Sequence, residues 1–91
     1  MKNVEEIKRV LVRMAEILRV GGRDEWADRL DMHSRDLASD PVGTTSALVA
    51  LYGGMGSIND IVIYKGVQPL IPENRELDAL RSKLFNLCRG A

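Results

Sequence analysis

The fold turns on the reading of residues 51–71, LYGGMGSINDIVIYKGVQPLI. Gly53, Gly54 and Gly56 fall within four positions, and the β-branched run Ile61-Val62-Ile63 follows shortly after. β-Branched and aromatic residues suit strands, and Gly66 permits a turn, so IVIY and VQPLI flanking Lys65-Gly66 read as a short hairpin. Pro69 donates no backbone hydrogen bond, which confines its strand to an edge. A competing reading makes Ser57 the N-cap of a short helix, with Asp60 three residues on, that ends at Gly66. In either reading the glycines are a structural turn, with Gly53 or Gly54 expected at a positive φ. Met55 and Ile58 are expected to plug the core, and Asn59 and Asp60 to tie the loop to neighbouring helix ends.

Upstream, the pattern is helical. Val4, Ile7, Leu11, Met14 and Leu18 form one stripe, and Val10 and Ile17 widen it, so a first helix meets more than one neighbour. Asn3 is placed to cap it and Gly21-Gly22 to end it. Trp26, Leu30, His33 and Leu37 mark the inner side of a second helix starting near Asp24. Asp40-Pro41 supplies a cap and a first-turn proline for a third helix through VGTTSALVALY, ending at Gly53-Gly54. Downstream, Leu77, Leu80, Leu84 and Leu87 set a fourth helix beginning at Pro72 or Asn74. The predicted fold is mainly α: about four helices around one core, a single domain over 1–91, with a short β-hairpin or irregular loop between the third and fourth.

Ninety-one residues with thirteen basic and thirteen acidic side chains lack the basic excess of a nucleic-acid binder. The single cysteine, Cys88, excludes an intrachain disulfide, and no apolar run reaches a membrane span. The charged N-terminus lacks the apolar core of a signal peptide, so a cytoplasmic location is expected. Charge is unevenly spread. Residues 24–40 hold six acidic and two basic groups, whereas residues 1–23 hold three acidic and six basic.

The motifs of chemistry are missing. A Walker loop needs a lysine after its glycines, and none stands here. A dinucleotide fingerprint needs a third glycine where Asn59 lies. His33 falls on an apolar stripe and reads as a packed structural histidine. Cys88 reads as a small buried hydrophobe. No CxxC or HxxxH pair supports zinc, and no cofactor is expected. Binding rather than catalysis is therefore expected. The first candidate surface is the outer face of the second helix, Asp24, Glu25, Asp28, Asp31 and Asp36, which would attract a basic protein. The second comprises the loop residues Tyr52, Ser57, Asn59 and Asp60.

The segment LYGGMGSINDIVIYKGVQPLIPENRELDALRSKLFNLC resembles a family of small bacterial proteins. They share the signature Leu-(Tyr/Phe)-Gly-Gly-Met-Gly-Ser-x-Asn-Asp, followed by an apolar run, a turn and a C-terminal helix. The resemblance covers about residues 48–88 and implies no enzymatic activity and no catalytic residue. In size and style such domains are similar to the immunity proteins of contact-dependent growth inhibition systems. That implies a non-enzymatic domain that neutralises a cognate, basic toxin by direct binding. The alternative is a structural or regulatory module that forms homo-oligomers through the exposed part of the first helix's wide stripe.

Overall fold

A computed structural model describes residues 3–53 and 56–90. Four helices run in the order α1 (Val4–Val20), α2 (Asp24–Asp36), α3 (Pro41–Ala50) and α4 (Ile71–Gly90). Between α3 and α4 lie a 3-10 turn, Ile58–Asp60, and a two-stranded antiparallel hairpin, β1 (Tyr64–Lys65) and β2 (Gln68–Pro69). The molecule is about twice as long as it is wide, 42 × 21 × 21 Å. α1 packs on both α2 and α4, and α3 on α4.

The wide stripe of α1 explains this central place. Ile7, Val10, Leu11, Met14, Ile17 and Leu18 are all buried. A stripe that broad exceeds what one neighbour covers, so two helices share it. Asn3 caps α1 by accepting from the Glu6 N–H at 3.1 Å. α2 buries Trp26, Ala27 and Leu30, and Leu37 just beyond its end. Asp40 caps α3 through the Gly43 N–H at 3.0 Å, with Pro41 in the first turn. Asp40→Ala is expected to cost about 1 kcal/mol. Unfolding in denaturant measures it, and an unchanged midpoint would show the cap to be idle.

α3 ends at Ala50 rather than running through Tyr52. The last turn tightens: Leu51 and Tyr52 donate to the carbonyls of Leu48 and Val49, each at 3.1 Å. The chain then returns on itself, and the Ile58 N–H donates to the Leu51 carbonyl at 3.0 Å. The two readings of the central stretch each hold for a part of it. Ser57 does start a helical turn, accepting from the Asn59 N–H at 3.2 Å, but that turn lasts only to Asp60. The hairpin follows, with register Tyr64↔Pro69 and Lys65↔Gln68, so its loop is Gly66-Val67 rather than Lys65-Gly66. Ile58 is fully buried, as expected of a core plug; Gly54 and Met55 lie outside the described residues. Of the two glycines expected at a positive φ, Gly53 does not take one, and Gly54 lies outside the described residues. Among the described residues, the glycine of this loop that needs its freedom is Gly56, at φ 71°.

α4 begins at Ile71, before both predicted starts, because Asn74 is not a cap. Its amide instead acts as a strand partner. Oδ1 accepts from the Ile63 N–H at 2.9 Å, and Nδ2 donates to the Ile63 carbonyl at 2.9 Å and the Leu70 carbonyl at 2.8 Å. The hairpin base is thereby pinned to the first turn of α4. Asn74→Ala leaves the Ile63 N–H without its partner, while the Ile63 and Leu70 carbonyls keep the N–H groups of Leu70 and Asn74, and it is expected to cost about 2 kcal/mol. Thermal unfolding measures the loss, and a shift within error would mean that water replaces the amide.

Candidate protein-binding site

The two surfaces proposed from sequence fare differently. On α2, Asp24, Glu25, Asp28 and Asp36 are exposed and Asp31 is half-buried. They are not a bare acidic face. Arg19 reaches from α1 and donates to Asp28 at 2.8 Å and to Asp31 at 2.7 Å. Arg23 holds Glu25 at 2.7 Å. Arg19 is held protonated above its usual range, chiefly by the Asp31 hydrogen bond, and Glu25 is held ionised by Arg23. Asp24 and Asp36 make no salt bridge among the described residues. Basic side chains from the preceding segment therefore cancel much of the field that residues 24–40 suggest in isolation, and what remains is weak and screened by salt. The exposed stripe of α1 also disappears: Val10 is 4% exposed and Ile17 1%. The half-exposed Val12 lies off that stripe, among Glu5, Lys8, Arg9, Arg13 and Glu16.

The loop residues divide by role. Ser57 is buried, and its hydroxyl shapes the 3-10 turn. Asp60 closes the loop, its Oδ2 accepting from the Gly56 N–H at 2.9 Å. Asn59 is exposed, and its Nδ2 lies 3.5 Å from the Tyr52 carbonyl, the limit of a hydrogen bond. Tyr52 and Asn59 meet in one groove of about 540 Å³, lined by Val49, Tyr52, Gly53, Asn59, Arg81, Ser82, Phe85 and Asn86.

The construction of this groove is specific. Tyr52, at the end of α3, packs its ring on Phe85 of α4 with centroids 4.9 Å apart and planes at 58°. Its hydroxyl donates to the Arg81 carbonyl at 2.7 Å. Burial pushes the phenol well above its ordinary range, so it stays neutral. Arg81 is only 8% exposed. Its Nη1 donates to the carbonyls of Ile58 at 3.0 Å and Ile61 at 2.9 Å, and its Nη2 pairs with Asp78. Burial opposes its charge, whereas the nearby Asp60 favours it. The wall is therefore an aromatic pair tied to the α4 backbone beside a buried cation, and the exposed amides of Asn59 and Asn86 stand at the rim. Sequence reading missed Arg81, Phe85 and Asn86. Arg81 interrupts the leucine pattern of α4 as an inward-facing charge, and that was the available signal.

His33 is half-buried on α2, and burial lowers its pKa below the ordinary 6.5. A histidine that stays neutral when folded penalises the fold once the unfolded chain takes up a proton. Stability is expected to fall as pH drops below about 6.5 and to level off below the lowered folded value. Comparing denaturant midpoints of wild type and His33→Gln at pH 5 and pH 7.5 isolates this contribution. Parallel profiles would show that the ring is solvated. Cys88 is buried in α4. Among the described residues no group of three or more His, Cys, Asp or Glu side chains is placed to hold a metal ion.

Residues 19–71, more than half of the chain, match the family described as Domain of unknown function (DUF6966). The chain belongs to this family. The DUF6966 match spans α2, α3, the glycine loop and the hairpin, and so includes Tyr52, Gly53 and Asn59; the α4 wall of the groove lies beyond it. No curated protein and no solved structure matches the chain. No helix of the described residues is long and apolar enough to cross a membrane.

Proposed function

We propose that this domain acts without catalysis, by binding another protein through the groove between α3 and α4, and that the partner is a toxin it neutralises. The groove carries the reading. An aromatic floor held rigid beneath a rim of amides suits an inserted aromatic or aliphatic anchor side chain, the arrangement found at the centres of protein interfaces. The loop that forms one wall belongs to the signature segment. Asp24 and Asp36 remain available to steer a basic partner, and a cytoplasmic setting suits a core that includes a cysteine thiol.

The test uses calorimetry between the purified chain and the product of the gene adjacent to its own. Ser82 and Asn86 are exposed on the groove's α4 side. Ser82→Arg with Asn86→Arg fills the groove without touching the core and is expected to weaken binding by at least about 30-fold. Asp24→Lys with Asp36→Lys is expected to weaken it only a few-fold, mostly at low salt. A groove-filled variant that binds as wild type removes the groove from the reading. Strong loss in the lysine variant alone restores the acidic face.

A further inference from the structure

We infer that the outer edge of β1 is a pairing surface for a second copy of this chain, forming a closed two-fold dimer. The inference stands apart from the groove and rests on the hairpin's own hydrogen bonding. Leu70 donates to the Ile63 carbonyl at 3.1 Å, which makes Ile63↔Leu70 a hydrogen-bonded pair. Alternation along an antiparallel ladder then makes Tyr64↔Pro69 a non-bonded pair. The N–H and C=O of Tyr64, and by the same alternation those of Val62, point away from β2. No described group bonds to them. The edge thus offers backbone donors and acceptors at alternate residues, flanked by side chains that are about half exposed: Val62 is 48% exposed and Tyr64 49%. Ile63, between them, is fully buried and faces the core.

The pattern is self-complementary. Set antiparallel across a two-fold axis at Ile63, Val62 of one copy lies opposite Tyr64 of the other. The two residues exchange both backbone hydrogen bonds, and the axis repeats the exchange. Each exchange also sets a β-branched side chain against an aromatic one, a favourable cross-strand pair. The other edge cannot continue the sheet, because Pro69 has no N–H to give where its partner strand would need one. Pairing therefore stops at two copies with a proline on each outer edge, a closed assembly rather than a fibre.

Sedimentation equilibrium of the full chain from micromolar to millimolar concentration tests this. The wild type is expected to show a monomer–dimer equilibrium. Val62→Pro removes one edge donor per copy and no internal bond, and the extended ψ of Ile61, 122°, accommodates a following proline. It is expected to raise the dimer dissociation constant by about 30-fold with an unchanged circular dichroism spectrum. Val67→Lys, at the hairpin tip and 88% exposed, is expected to leave the dimer intact. Should the proline variant fail to fold, Val62→Lys with Tyr64→Lys sets like charges opposite one another and is expected to yield monomer. A wild type that is monomeric throughout overturns the inference, and so does a folded edge variant that dimerises as well as wild type.

Discussion

Arg81→Met is expected to lower the melting temperature by about 15 °C. The guanidinium is the only donor described for the carbonyls of Ile58 and Ile61, at 3.0 and 2.9 Å, and both isoleucines are buried. A hydrogen bond from a charged donor contributes roughly 1.5–3 kcal/mol, and a buried acceptor that loses its donor keeps its desolvation penalty. Methionine fills the space of the stem but supplies no donor. A loss of about 3 kcal/mol follows, and in a domain of this size each kcal/mol shifts the midpoint by roughly 4–8 °C. Arg81→Lys should fall between the two, since an ammonium keeps the charge without the planar fork whose Nη1 serves both carbonyls while Nη2 holds Asp78. Calorimetric scans of the three proteins measure the series. A methionine variant that melts within about 4 °C of wild type would show that the 3-10 turn holds itself in place. The Tyr52 hydroxyl bonds to the main-chain carbonyl of residue 81, which the methionine variant keeps, so the aromatic wall of the groove is expected to stay in place.

The second large effect is expected at Gly21. A Cβ added there would sit 2.5 Å from the Cβ of Ile63 and 2.6 Å from its Cγ2. The obstacle is close approach rather than conformation, since Gly21 has φ −85°. The clashing atoms lie at the root of the isoleucine side chain, so rotation of its end does not relieve them. Overpacking of this kind costs about 1–3 kcal/mol, partly offset by the lower entropy of an unfolded alanine. Gly21→Ala is expected to lower the melting temperature by about 8 °C. Gly53→Ala is the control: Gly53 has an ordinary φ, and the nearest atom to its added Cβ is a carbonyl oxygen at 4.0 Å. It should change stability by no more than about 0.5 kcal/mol. Equal losses at the two positions would contradict the packing account and return weight to the glycine loop.

The helices were legible because each is encoded locally. The stripes of α1 and α4 repeat at helical spacing, Asn3 and Asp40 cap where such residues usually cap, and Pro41 stands in a first turn where its missing N–H costs nothing. A pattern in neighbouring residues suffices for these, since a helix makes its backbone bonds within itself. Competing signals within residues 57–69 were also local, and both were real; the chain simply uses them one after the other. The candidate surfaces were less legible, because exposure and charge depend on partners distant in sequence. The acidic run of α2 reads as a field only until Arg19 arrives from α1 to hold Asp28 and Asp31. Tyr52 and Asn59 stand close in sequence, but their groove exists only because α4 brings Phe85 and Arg81 against them.

Local sequence by itself therefore determined the number of helices, their inner faces and most of their ends, through periodicity and capping. Tertiary structure alone decided which helix shares its stripe with two neighbours, which glycine is irreplaceable and which charges are spent on internal pairs. The physical reason is the same in each case. Helical periodicity and caps act over a few residues, whereas the contact of Gly21 with Ile63, the clamp of Arg19 on α2 and the reach of Arg81 to the loop carbonyls are made between segments that only the packed core brings together.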